Sequence, residues 1–123
     1  MRIALIQQHA TREKRVNVER GLEALRRAAD DGAEWACFAE LGFEWFHPQQ
    51  PAPLNVADLA APWPGPTTEA FCRVARERSL VVLLNLYERD GESFYDCSPV
   101  RFSSPVRNRR RPYATTRASW AIM

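Results

Sequence analysis

The 123-residue sequence predicts a layered α/β fold, on three observations. Short apolar runs of strand composition recur along the chain, at "RIALIQ", "EWACFAEL" and "LVVLLNLYER". Stretches with helical spacing separate them, and glycine or proline punctuates the joins. An order of strand, helix, strand, then helix, strand, strand implies a sheet whose first two strands run parallel, because a parallel pair needs a crossover of this length.

Each element follows in turn. Arg2 to Gln7 is an apolar run suited to a buried strand. In "TREKRVNVERGLEALRRAADDGA", Val18, Leu22, Leu25 and Ala29 share one helical face, Thr11 suits the N-cap and Gly32 the stop. "EWACFAEL" returns to strand composition directly after Gly32, which closes a β-α-β unit and sets Glu40 at the carboxyl end of its second strand. From His47 to Pro66 the prolines at 48, 51, 53, 62, 64 and 66 predict a long loop, with room for one helical turn at "NVADLA". Loops of this length are often functional.

"GPTTEAFCRVARERSL" restarts a helix, with Thr67 or Thr68 as its cap and Phe71, Val74 and Ala75 on one face. "LVVLLNLYER" is a strand of continuous apolar character, expected to be covered on both faces. "DGES" reads as a turn and "FYDCSPV" as the antiparallel partner.

Composition bounds the rest. Hydrophobic residues make up 46% and charged residues 26%, the balance of a folded domain rather than a disordered chain. At this length one domain is the limit. "MRIALIQQ" lacks the form of a signal peptide and no stretch reaches membrane-spanning length, so a cytoplasmic location is expected. Cys37, Cys72 and Cys97 lack paired spacing and read as free thiols. His9 and His47 stand far apart, so no metal site is expected, and nothing in the sequence calls for a cofactor.

Charge is uneven along the chain. All 15 acids lie at or before Asp96, so the first hundred residues carry 11 basic against 15 acidic groups, a net of −4. Residues 101–123 hold six arginines and no acid. The character changes near Val100, which divides the sequence into a folded part, 1–100, and a basic tail, 101–123, expected to be irregular.

In open α/β sheets the functional site lies outside the carboxyl ends of the strands, which puts Glu40 at that edge. With Phe38, Phe43, Trp45 and Phe46 able to exclude water, its carboxyl could be raised into the range of a general base near neutral pH. The plainer reading is a solvated charge at a strand end.

The order of motifs adds to this. "RIALIQ", Asn17, "GAEWACFAELGFEWFHP", "PGPTTEAFCRVARERSLVVLLNLYERDG" and "YDCSPV", in that sequence and with suitable gaps, resemble the front part of the nitrilase superfamily. These are the carbon-nitrogen hydrolases, which include amidases, nitrilases and N-carbamoyl amide hydrolases. The resemblance covers Arg2 to about Val100 and implies an incomplete αββα layered sandwich that acts on a small-molecule amide, nitrile or carbamoyl compound, with homo-oligomers possible. It also implies that Glu40 is the catalytic base, since Ala39-Glu40-Leu41 stands where the family has Pro-Glu-Leu, and that the aromatic stretch after it walls the pocket.

The resemblance also implies a cysteine thiolate that attacks the carbon and a lysine that stabilises the developing negative charge, both beyond the "YDCSPV" strand. Lys14 is the sole lysine and precedes Glu40, which is the wrong order. Cys97 does not match the nucleophile's position and reads as a strand cysteine, while Cys37 and Cys72 read as structural. The expectation is a truncated or frame-shifted fragment without activity. Such a fragment would keep an exposed edge and an uncovered face, and would associate. The rival reading makes the tail a nucleic-acid arm, with Arg107 to Arg111 on phosphates and Tyr113 or Trp120 stacking on bases; a solvated basic run is the commoner case.

Overall fold

A computed structural model describes residues 1–45, 59–101 and 113–118. Within them a mixed sheet of seven strands carries two helices on one face. The strands are β1 (Ile3–Ile6), β2 (Trp35–Phe38), β3 (Ala61–Pro62), β4 (Val81–Leu83), β5 (Leu86–Asp90), β6 (Ser93–Arg101) and β7 (Tyr113–Ala118). The helices are α1 (Lys14–Asp30) and α2 (Pro66–Glu77). Sheet order is β1-β2-β4-β6-β5-β3, with β7 on β6.

β1, β2 and β4 run parallel, as the two crossover helices require. β4 and β5 then form one hairpin with β6. Leu83 opposes Val100 and Leu86 opposes Cys97, so the register passes unshifted through Leu84 and Asn85, and the Leu84 N–H donates to Pro99 O at 3.1 Å. Gly91, at φ 63°, opens the two-residue turn between Asp90 and Ser93, where a side chain would be strained.

α1 ends at the expected place. The Ala33 N–H reaches Ala28 O, the Gly32 N–H reaches Ala29 O, and Gly32 takes φ 81°, the geometry of a Schellman stop. α2 ends in the same way, with Ser79 in the left-handed position and Leu80 bonded back to Ala75 O.

The helix starts differ from expectation. α1 begins at Lys14 with Glu13 as N-cap, because Thr11 is engaged instead with the Asn17 side chain. α2 is capped by Gly65, with Pro66 in the first turn, where its missing N–H costs nothing. Thr68 returns its hydroxyl to the Gly65 N–H at 2.9 Å and so serves the third position, not the cap.

The core lies between the helices and the sheet face formed by Ala36, Phe38, Val82, Leu84 and Leu86. On α2 the expected residues Phe71, Val74 and Ala75 are all buried. On α1 the buried face is centred on Asn17, Gly21, Leu25 and Ala28, with Val18, Leu22 and Ala29 on its flank. Gly21 explains the rotation: a Cβ there would lie 2.7 Å from the Phe43 ring and 3.0 Å from the Phe71 ring. The bare backbone lets Phe38, Phe43 and Phe71 pack as a trio with centroids 4.8–5.2 Å apart.

Three further expectations need correction. β1 is a half-exposed edge strand rather than a buried one: Ala4 and Ile6 join the core, but Ile3 is 48% and Leu5 82% exposed. The long proline-rich loop contains the two-residue strand β3, paired with β5; most of "NVADLA" lies outside the described residues. The tail is not irregular throughout, since residues 113–118 pair along β6 as β7. Tyr113, Thr115 and Thr116 are residues that suit a pleated surface. No helix among the described residues is long and apolar enough to cross a membrane.

Candidate functional site

β1, β2 and β4 all end at one edge of the sheet, and a cavity of about 360 Å³ opens there. Gln7, Gln8, His9 and Ala10, which follow β1, form one side; Ala39 to Gly42, Glu44 and Trp45, which follow β2, form the other. This volume is within the range of small-molecule sites.

Glu40 stands in the turn directly after β2, exposed and lining the cavity. Its neighbours are pinned. The Ala39 N–H donates to Ile6 O at 3.3 Å, the Leu41 N–H donates to Asn85 Oδ1 at 2.7 Å, and the Gly42 N–H closes the turn on Ala39 O at 3.1 Å. Leu41 holds φ 47° within that turn. Among the described residues no hydrogen bond or ion pair engages the Glu40 carboxylate, so it is available to a ligand.

The second carboxylate behaves differently. Glu44 is only 5% exposed and is paired with Lys14, whose ammonium also donates to Leu59 O at 3.2 Å. A buried carboxylate needs such a partner, because desolvation penalises its charge. Lys14 thus serves a structural pair on α1.

Beneath the cavity the walls are tied by amides. Gln8 Nε2 donates to Asn17 O at 3.0 Å and to Gly42 O at 2.9 Å. Asn17, fully buried, accepts the Thr11 N–H and hydroxyl on Oδ1 and donates through Nδ2 to Thr11 O and Phe43 O. Two side chains therefore join the loop after β1, the start of α1 and the turn after β2. That joint is the physical content of Asn17 as a motif residue.

The aromatic residues divide. Trp45 lines the cavity with the Arg12 guanidinium 4.4 Å above its ring. Phe38 and Phe43 turn into the core trio and do not shield Glu40, contrary to expectation. Strand alternation explains Phe38, which points to the helix face, and the turn at Leu41 swings Phe43 the same way. Phe46 and His47 lie outside the described residues, as do Arg107 to Arg111 and Trp120.

No cysteine or lysine lines the cavity among the described residues. Cys97 is fully buried and Cys72 nearly so, as expected of structural thiols. Cys37 is half-buried on β2, and burial pushes its thiol above the ordinary range. No group of three or more His, Cys, Asp or Glu among the described residues could hold a metal ion. Asn85 was not anticipated. Its only signal is a lone amide interrupting the apolar run "VVLLNLYER".

Residues 2–101 match the profile of the Carbon-nitrogen hydrolase family, which is most of the chain. The chain belongs to the carbon-nitrogen hydrolase family. Its fold is similar to that of the carbon-nitrogen hydrolase from Helicobacter pylori G27, at 15% identity and a TM-score of 0.73, covering 82% of this chain and 35% of that one. It is similar also to an amidase from Nesterenkonia sp., at 24% identity and TM-score 0.66, covering 84% of this chain and 38% of the other. A mutant of the Nesterenkonia sp. AN1 amidase in complex with butyramide matches at 23% identity and TM-score 0.68, covering 84% and 39%. Comparison with curated protein sequences gives no match.

The chain therefore spans 35% to 39% of the length of these relatives. It carries the N-terminal part of the nitrilase-type layered sandwich. The family match ends at residue 101, beside the change in charge near Val100.

Proposed function

We propose that this chain is the base-bearing part of a hydrolase for small amides, nitriles or N-carbamoyl compounds, with Glu40 in the place of the general base, and that by itself it does not turn substrate over. The observation that carries this is the placement of an unengaged carboxylate at the carboxyl edge of parallel strands, in a cavity of small-molecule size. Family membership and the complex of a related amidase with butyramide support an amide as the first ligand to try.

General base catalysis requires the proton donor within hydrogen-bond reach of the carboxylate. A Glu-to-Gln mutant of the related Nesterenkonia sp. AN1 amidase shows Michael addition of acrylamide at its active-site cysteine. The described cavity of this chain offers Glu40 no thiol from which to take a proton and no ammonium to stabilise an oxyanion. The cavity is thus suited to holding a small amide without cleaving it. A frame shift is part of this reading: another frame after the codon for Val100 is expected to encode a lysine and then a cysteine, in that order.

Titration of ¹⁵N-labelled protein with butyramide tests the reading. Saturable shifts confined to the amides of Gln8, Glu40, Leu41, Gly42 and Trp45, weakened in Glu40→Gln, are expected. Shifts that are absent, or scattered away from this edge, contradict it.

A further inference from the structure

The geometry points to Asn85 as the positioning residue for Glu40, and to the β5–β6 hairpin as the body against which the carboxylate is set. This rests on the reading of Glu40 as the base. Glu40 is flanked by two backbone hydrogen bonds to different elements. Ala39 is held to the end of β1, and Leu41 is held by a side chain 44 positions away in sequence. The second is the shorter, at 2.7 Å, and it fixes the residue with the least favourable backbone, Leu41 at φ 47°. A non-glycine residue in that region is strained unless its surroundings determine it. Asn85 supplies that determination.

Asn85 is itself oriented. Its Nδ2 donates to Asp96 Oδ1 at 2.5 Å and to Ser98 Oγ at 3.0 Å, both on β6. An ionised carboxylate accepts only, so the amide nitrogen must face β6 and the oxygen must face Leu41. Rotating the amide by half a turn would set its oxygen against Asp96 and its nitrogen against the Leu41 N–H, losing both contacts. The hairpin register brings Ser98 opposite Asn85 and Asp96 diagonal to it, so the hairpin fixes the amide and the amide fixes the turn. A carboxylate used as a base gains from such a support, because its backbone need not be ordered when ligand arrives.

The experiment reads the turn rather than turnover. Hydrogen exchange at the Leu41 amide and the backbone order parameter of Glu40 are measured in the wild type, Asn85→Ala and Asp96→Ala, with the Val81 amide, bonded to Glu34 O, as internal control. In Asn85→Ala, Leu41 exchange should rise about tenfold, the scale of one hydrogen bond, and Glu40 should lose order while Val81 is unchanged. Asp96→Ala, which keeps the acceptor but frees the amide, should give a smaller rise at Leu41. Leu41 exchange unchanged in both variants overturns the proposal, and so does an equal rise at Val81, which would make Asn85 a general brace for the sheet. Should Asn85→Ala fail to fold, Asp96→Ala decides alone. Failure of butyramide to bind leaves these readings untouched, so a wrong role for Glu40 and a wrong role for Asn85 are told apart.

Discussion

At the level of single residues, the two carboxylates of the cavity show how burial assigns work. Glu44 is sealed and neutralised by Lys14; Glu40 stands open, with no partner among the described residues. Replacing Lys14 by Met would leave a buried charge without its cation and should cost about 2 kcal/mol, less than for a fully buried pair because Lys14 is partly exposed. Lys14→Met with Glu44→Leu should recover most of that loss, as read by urea unfolding. A single Lys14 variant as stable as the wild type would mean the pair is decorative. Cys37 provides a pH handle. Burial favours its neutral thiol, so the thiol adds stability below the pKa of the unfolded chain and loses it as pH rises through the higher folded value. Alkylation of Cys37 followed by mass spectrometry should therefore show a midpoint above that of the denatured chain, and a midpoint at or below it would contradict the burial.

Among the elements, α1 is held to the sheet by an absence. Gly21 in mid-helix gives up about 1 kcal/mol of helix propensity, yet it admits the Phe38, Phe43 and Phe71 rings. Gly21→Ala should destabilise by about 1–2 kcal/mol despite the better propensity, because the rings cannot both retreat. A stabilised variant in thermal unfolding would show that they can. The same residue marks how far the elements were legible in sequence. Apolar period located both helices and the strands at 3–6 and 35–38, and "DGES" located the hairpin, but the one strand expected in "LVVLLNLYER" is two, β4 and β5, parted at Leu84 and Asn85. The rotation of α1 was not legible, because Asn17 and Gly21 carry no apolar signal although they lie deepest. The caps were misplaced for a related reason: Thr11 had a better partner in Asn17, and only tertiary structure reveals it. Glu40 could be placed at its strand end from pattern, but the turn at Leu41 decides which aromatics accompany it, and that turn depends on Asn85, distant in sequence.

On the scale of the whole molecule, the parallel part of the sheet is apolar on both faces, but among the described residues helices cover only one, not both as expected for "LVVLLNLYER". Ile3, Leu5, Trp35, Cys37, Val81 and Leu83 alternate with the core residues on β1, β2 and β4, and none is charged. Exposed apolar faces and unpaired edges promote association. Sedimentation should show concentration-dependent self-association that Leu5→Glu reduces. A monomeric chain unfolding in one sharp transition, coincident by calorimetry and circular dichroism, would show instead that this part of the sandwich suffices alone.

At every scale the proposed function rests on one pairing: Glu40 lines the cavity at the sheet edge, and among the described residues no cysteine or lysine lines it. Ammonia release from a panel of amides, nitriles and N-carbamoyl compounds, compared between the wild type and Glu40→Gln, tests it most directly. No release above the uncatalysed rate from either protein is the result expected. Release by the wild type that Glu40→Gln abolishes would contradict it, and would require a nucleophile that the described cavity does not show.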